Sequence, residues 1–76
     1  MRRGGIDLEK IVQLGKSTGY ITEGLVAWWT GKGGSTAYLA FRQLRQLCED
    51  RVLDDDETVC VVRGDKIVFL PRGAEE

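Results

Sequence analysis

The sequence predicts a small α+β domain in which three helices are followed by a β-hairpin. Three observations carry this prediction: an apolar stripe at helical spacing between residues 35 and 50, capping signals that divide the preceding segment into two helices, and two β-branched runs separated by Gly64 and Asp65. A chain of 76 residues has material for one core. We therefore expect one domain over residues 1–76, with residues 1–5 as a loose arm and 71–76 as a loose tail.

The first helix has recognisable signals at both ends. Asp7 is a favourable N-cap because its carboxylate can accept from the free amides of the first turn, and Gly19 is a suitable C-terminal stop. Ile6 and Ile11 have the spacing of a hydrophobic staple. Gly15 is expected to weaken the later part of this helix, because glycine lowers helix propensity.

A short extended pair, Tyr20 and Ile21, precedes the second helix. Thr22 is the expected N-cap of that helix, and the glycine-rich residues 31–34 end it. Trp28 falls away from its apolar side, so we expect an exposed indole, and a role for it in self-association is one hypothesis. The predicted fold thus contains a short strand between its first two helices.

The third helix is the most regular element. Ser35 is its expected N-cap, and the buried stripe is Ala37, Ala40, Phe41, Leu44, Leu47 and Cys48. Val52 and Leu53 are expected to return to the core, and the acidic residues 54–57 to form a solvated turn rather than a cation site, since consecutive carboxylates do not by themselves make a cage. Residues 58–63 and 66–70 form the hairpin, which Pro71 ends.

Charge and composition restrict the function. The net charge of −1 comes from 11 basic and 12 acidic residues, whereas nucleic-acid binders are usually basic. The distribution is uneven: no acid occurs from Gly24 to Cys48, and six occur from Glu49 to Glu57. Without a long apolar run or an apolar signal core, we expect a cytoplasmic chain that does not contact a membrane.

Cys48 and Cys60 leave two readings open. They are either reduced thiols packed as small hydrophobes, or a disulfide of the kind that hyperthermophiles form inside the cell. The chain has no histidine, so neither a zinc site nor another metal or cofactor is expected. No nucleophile stands beside a base, and we predict no enzymatic activity and no small-molecule substrate.

The order of elements resembles the winged helix-turn-helix family of DNA-binding domains. The resemblance is carried by residues 22–29 as the helix before the turn, 32–34 as the turn, 35–50 as the recognition-type helix and 58–70 as the wing. It implies binding of double-stranded DNA by a small transcriptional regulator, with a homodimer as the expected assembly. Two features depart from the family: the turn is unusually rich in glycine, and the acidic segment at the base of the wing repels phosphates.

The resemblance also implies which residues contact DNA. Those facing the bases are Ser35, Thr36, Tyr38, Leu39, Arg42, Gln43 and Gln46. Lys32, Ser35 and Arg45 are placed for phosphates, and Arg63 and Lys66 bracket the wing tip. These residues have simpler interpretations as a solvated helix face and as edge charges against aggregation.

The alternative function is a winged-helix adaptor that binds a protein and no DNA. The near-neutral charge and the exposed Tyr38 and Leu39 favour it. Salt dependence separates the two hypotheses, because binding to phosphates weakens steeply with salt and an apolar interface does not.

Overall fold

The computed structural model describes residues 7–73, which form three helices and one antiparallel sheet of three strands. The elements are α1 (Leu8–Thr18), β1 (Tyr20–Thr22), α2 (Glu23–Thr30), α3 (Gly34–Glu49), β2 (Thr58–Arg63) and β3 (Lys66–Pro71). The strand order in the sheet is β1-β3-β2. The α+β class, the short strand after the first helix and the two-residue hairpin loop are confirmed.

Two predictions about the ends of the chain have different outcomes. The arm over residues 1–5, Ile6 of the proposed staple and residues 74–76 lie outside the described residues. Pro71 belongs to β3, and the backbone of Arg72 donates to the carbonyl of Glu57 at 2.8 Å. The Arg72 guanidinium also donates to the carbonyl of Asp55 at 2.6 Å. Residues 71 and 72 are therefore part of the fold and not of a loose tail, because Pro71 pairs with Thr58 at the end of the ladder.

Side-chain caps start the first two helices as predicted. The Asp7 carboxylate accepts from the Lys10 amide at 3.4 Å, and the Thr22 hydroxyl accepts from the Leu25 amide at 3.1 Å. Gly19 ends α1 in the left-handed region with φ of 105°. These local signals were readable because each cap contacts an amide only three residues away.

The start of α3 corrects a prediction. The N-cap is Gly33, without a side-chain hydrogen bond, and the helix begins at Gly34. Ser35 lies in the first turn and is not the cap. Gly34 has φ of 60°, a conformation that glycine adopts without steric cost, so the backbone itself completes the turn into the helix.

The core lies between the helices and the inner face of the sheet. Ile21, Ile67 and Phe69 supply that face, and the buried residues of α3 pack with them. The α3 stripe is confirmed at Ala37, Ala40, Phe41, Leu44 and Cys48, whereas Leu47 is only half-buried.

The predicted return of Val52 to the core is wrong. Val52 is 61% exposed, and only Leu53 packs against the core. Arg51 takes φ of 66° immediately after α3, and the Val52 amide donates back to the carbonyl of Leu47 at 3.0 Å. This reversal of the chain turns Val52 outward before Leu53 reaches the core.

Gly15 has a role that helix propensity did not indicate. A Cβ atom at this position meets Cγ1 and Cδ1 of Ile21 and lies 2.9 Å from Cε2 of Phe69. The absent side chain lets α1 approach the sheet closely at the point where β1 and β3 pair.

A disulfide joins Cys48 in α3 to Cys60 in β2, with their Cα atoms 5.5 Å apart. Both residues are buried in the core. Of the two readings left open by the sequence, the structure contains the disulfide. It connects the C-terminal end of α3 directly to the middle of β2.

The acidic turn is built onto the edge of β2. Asp54 accepts from the Cys60 amide at 2.9 Å, and Asp55 accepts from the Thr58 amide at 2.7 Å. The bond from Cys60 is the main cause that lowers the pKa of Asp54, and Lys16, followed by Thr58, lowers the pKa of Asp55 well below its usual range. Two of the carboxylates in the predicted solvated turn are thus structural.

Candidate nucleic-acid interface

All eight residues that the sequence predicted as contacts on the third helix are exposed on α3. We call them the α3 face: Ser35, Thr36, Tyr38, Leu39, Arg42, Gln43, Arg45 and Gln46. Their exposure follows from the helical period, because Ala37, Phe41 and Leu44 direct the opposite side into the core. The structure therefore brings these eight positions together on one solvent-facing surface.

The N-terminal half of the α3 face, from Ser35 to Arg42, combines aromatic, apolar and cationic groups. Tyr38 is 47% exposed and Leu39 is 57% exposed. The guanidinium of Arg42 lies over the Tyr38 ring, 5.9 Å from its centroid. No acid occurs between Gly24 and Cys48 in the sequence, and Arg42 forms no ion pair within residues 7–73.

The C-terminal half is partly engaged within the helix. Arg45 forms an ion pair with Glu49 at 3.9 Å, and the Gln46 amide donates to the Asp50 carboxylate at 3.2 Å. Such exposed pairs are weak and can exchange, but they place negative charge beside both side chains. In the C-terminal half of the α3 face, Arg45 and Gln46 thus have acidic partners, whereas Arg42 in the N-terminal half has none within residues 7–73.

A shallow groove runs along this surface. Its lining residues are Leu39, Arg42, Gln43, Arg45, Gln46 and Glu49. The groove is wide and open rather than enclosed, which suits a macromolecular surface better than a small ligand.

The N-terminal end of α3 offers unshared donors. No side chain caps this end, and its first turn contains no acid. The free amides and the positive end of the helix dipole therefore point to solvent beside Ser35 and Thr36. Lys32 is exposed in the preceding turn, where its amide donates to the Thr30 hydroxyl at 3.2 Å.

Lys10 is a neighbour of this region that the sequence did not indicate. A cleft of about 220 Å³ between α1 and α2 is lined by Asp7, Lys10, Ile11, Leu14, Trp29, Thr30 and Lys32. It brings Lys10 and Lys32 to one site, although most of α1, β1 and the whole of α2 separate them in the chain. No local pattern reveals this proximity, because it arises from the positions that α1 and α2 take on their common core.

The hairpin tip presents the remaining two predicted residues. Arg63 and Lys66 are opposite each other in the ladder and flank Gly64 and Asp65. Both are exposed, and the Lys66 ammonium lies 5.4 Å from the centroid of the Tyr20 ring. The tip is a second cationic surface on a different element from the α3 face, and Asp65 partly offsets its charge.

No protein-family model, curated protein or solved structure matches this chain. Within residues 7–73, no helix has the length and apolar character needed to cross a membrane. No three His, Cys, Asp or Glu side chains in that same range are grouped to hold a metal ion.

Proposed function

We propose that this chain is a winged helix-turn-helix domain that binds double-stranded DNA, with α3 in the major groove and the β2–β3 hairpin as the wing. The observation that carries the proposal is the acid-free, exposed N-terminal half of the α3 face, which begins at an uncapped helix end. An α-helix with its side chains matches the width of the major groove of B-form DNA.

The connection between α2 and α3 supports the helix-turn-helix part of the proposal. Only residues 31–33 separate the two helices, and Gly31 ends α2 with φ of 73°. The helices pack on each other, and Val26, Ala37 and Ala40 are all buried in the core that they share. The exposed side of α3 is then free to enter a groove while α2 supports it from behind.

Phosphate contacts come from both surfaces. The free amides of α3 and Lys32 lie at the head of the helix, and Arg63 and Lys66 lie at the wing tip. With a net charge of −1, the chain depends on these few groups for its attraction to DNA. Binding should therefore be modest for one copy, and paired half-sites bound by a homodimer would multiply the affinity.

The experiment measures binding to a random-sequence DNA duplex by fluorescence anisotropy, at about 50 mM and about 200 mM salt. The wild-type chain should bind at low salt and lose most of its affinity at the higher concentration. Arg42→Ala should bind several-fold more weakly at low salt. Arg51→Ala removes the same charge from a position outside the α3 face, where Arg51 is paired with Asp54 at 3.1 Å, and is the control whose affinity should change little.

An absence of binding at low salt would contradict the proposal, because sequence-independent attraction to phosphates is strongest there. The second candidate function, a protein adaptor, is favoured by Tyr38, Leu39 and the 80% exposed Trp28. A partner bound through these residues would remain bound at the higher salt concentration.

A further inference from the structure

We propose that Leu39 and Arg42 determine which DNA sequence the α3 face prefers, and that the preferred site contains a thymine next to a guanine. This inference rests on the proposed function and deepens it by naming the bases. It follows from the exposure of Leu39, from the ring contact of Arg42, and from the acidic partners that Arg45 and Gln46 have in the next turn.

Arg42 is prepared to recognise guanine. Its guanidinium lies over the Tyr38 ring, 5.9 Å from the ring centroid, and it forms no ion pair within residues 7–73. A planar guanidinium can donate two parallel hydrogen bonds to O6 and N7 of guanine, which is the commonest specific contact in the major groove. The Tyr38 ring restricts the orientations of the side chain, so less freedom is lost when those bonds form.

Leu39 is an apolar side chain that does not pack in the core. It is 57% exposed, directly after Tyr38 and one turn before Arg42. In the major groove, the apolar feature that a leucine can contact is the C5-methyl group of thymine. Contact with that methyl group would remove the exposed part of Leu39 from water.

The spacing of the two side chains matches neighbouring base pairs. Three residues of α-helix advance by roughly 4.5 Å, and successive bases along one strand are about 3.4 Å apart. A helix lying along the groove therefore brings Leu39 and Arg42 to adjacent base pairs.

The following turn is not expected to add a strong preference. Arg45 is paired with Glu49, and Gln46 donates its amide to Asp50. A base contact by either side chain must first break an existing interaction, and the acids that remain face the DNA. The recognised sequence should accordingly be short and lie under the N-terminal half of α3.

The test is selection of bound sites from a pool of random duplexes by the wild-type chain and three variants. The wild type should enrich sites with adjacent thymine and guanine. Arg42→Lys keeps the charge but loses the planar pair of donors, so guanine preference should fall on the order of ten-fold while low-salt affinity for random DNA is retained. Leu39→Ala should lose the thymine preference alone. Gln13→Ala, at an exposed position of α1 outside the α3 face, is the control and should select the wild-type sites.

Three results would overturn the inference, and they are distinguishable. Binding at low salt without enrichment of thymine beside guanine refutes the base assignment and leaves the proposed function standing. No binding to any duplex at low salt refutes both. Wild-type site preference retained in both Arg42→Lys and Leu39→Ala would place recognition on other residues and would also refute the assignment.

Discussion

The ammonium group of Lys16 donates to the carboxylate of Asp55 at 2.6 Å and joins α1 to the turn that precedes β2. The same carboxylate accepts from the backbone amides of Glu57 and Thr58 at 2.8 and 2.7 Å. Asp55 therefore links a helix, a turn and the first residue of a strand.

The link predicts a dependence of stability on pH. Lys16 and the two amides lower the pKa of Asp55 below that of an unfolded chain, so its contribution is complete above about pH 4 and is lost as the pH falls further. Asp55→Asn should lower the free energy of unfolding at neutral pH. The difference from wild type should shrink as the pH decreases below about 4 in urea titrations.

Asp56→Asn is the matched control for that experiment. Asp56 is an exposed neighbour in the same turn, and its substitution should leave stability nearly unchanged at every pH. An equal loss in both variants would mean that the net charge of the turn matters and the Lys16 contact does not.

The disulfide predicts a large effect of reduction on stability. Cys48 and Cys60 close a loop of 12 residues in sequence separation, for which chain entropy gives a stabilisation of about 3 kcal/mol. Urea unfolding with and without a reductant should show a difference of this order, and a Cys48→Ala, Cys60→Ala double variant should behave like the reduced chain. Two reactive thiols in unfolded, unreduced protein would show that the bond is not formed.

Two glycines in helices should respond to alanine in opposite ways. Gly15→Ala should destabilise by about 1–3 kcal/mol, because the added methyl group meets Ile21 and Phe69. Gly24 is the control: its nearest neighbour is the Thr22 hydroxyl at 3.8 Å, so alanine there fits and should leave stability equal or slightly higher. Thermal midpoints report the stability of both variants. A Gly15→Ala chain as stable as the wild type would contradict the close approach of α1 to the sheet.

Two aromatic residues provide a similar contrast. Phe41 is 7% exposed, and Phe41→Ala should cost roughly 3–5 kcal/mol of unfolding free energy. Trp28 is 80% exposed, so Trp28→Ala should change the stability of a monomer by less than about 0.5 kcal/mol. If Trp28→Ala instead lowers stability in a manner that depends on protein concentration, the indole lies in a homodimer interface.

Features with local causes could be predicted from the sequence. The caps by Asp7 and Thr22, the stripe on α3 and the loop at Gly64 each depend on residues within a few positions. The role of Gly15 could not be predicted, because the side chains that require it come from other elements. The exposure of Val52 depends on the left-handed backbone of Arg51, which is rare for a residue other than glycine.

The candidate site was also predictable only in part. Helical periodicity was sufficient to identify the exposed side of α3. The ion pair of Arg45 with Glu49 has a signal in the sequence, the i,i+4 spacing, and so has the hydrogen bond of Gln46 with Asp50. The proximity of Lys10 and Lys32 had no signal in the sequence, since it depends on where α1 and α2 lie on their common core.

The acidic turn has a consequence for how the protein behaves in concentrated solution. β2 is an outer strand of the sheet and contains four consecutive apolar residues, Val59 to Val62. Strands of this composition recruit further chains through unpaired backbone groups and so initiate aggregation. Asp54 and Asp55 occupy the amides of Cys60 and Thr58, which closes the first half of that edge to a second chain. Acid that protonates these carboxylates frees the edge of β2, and aggregation should begin at this edge before the core itself unfolds.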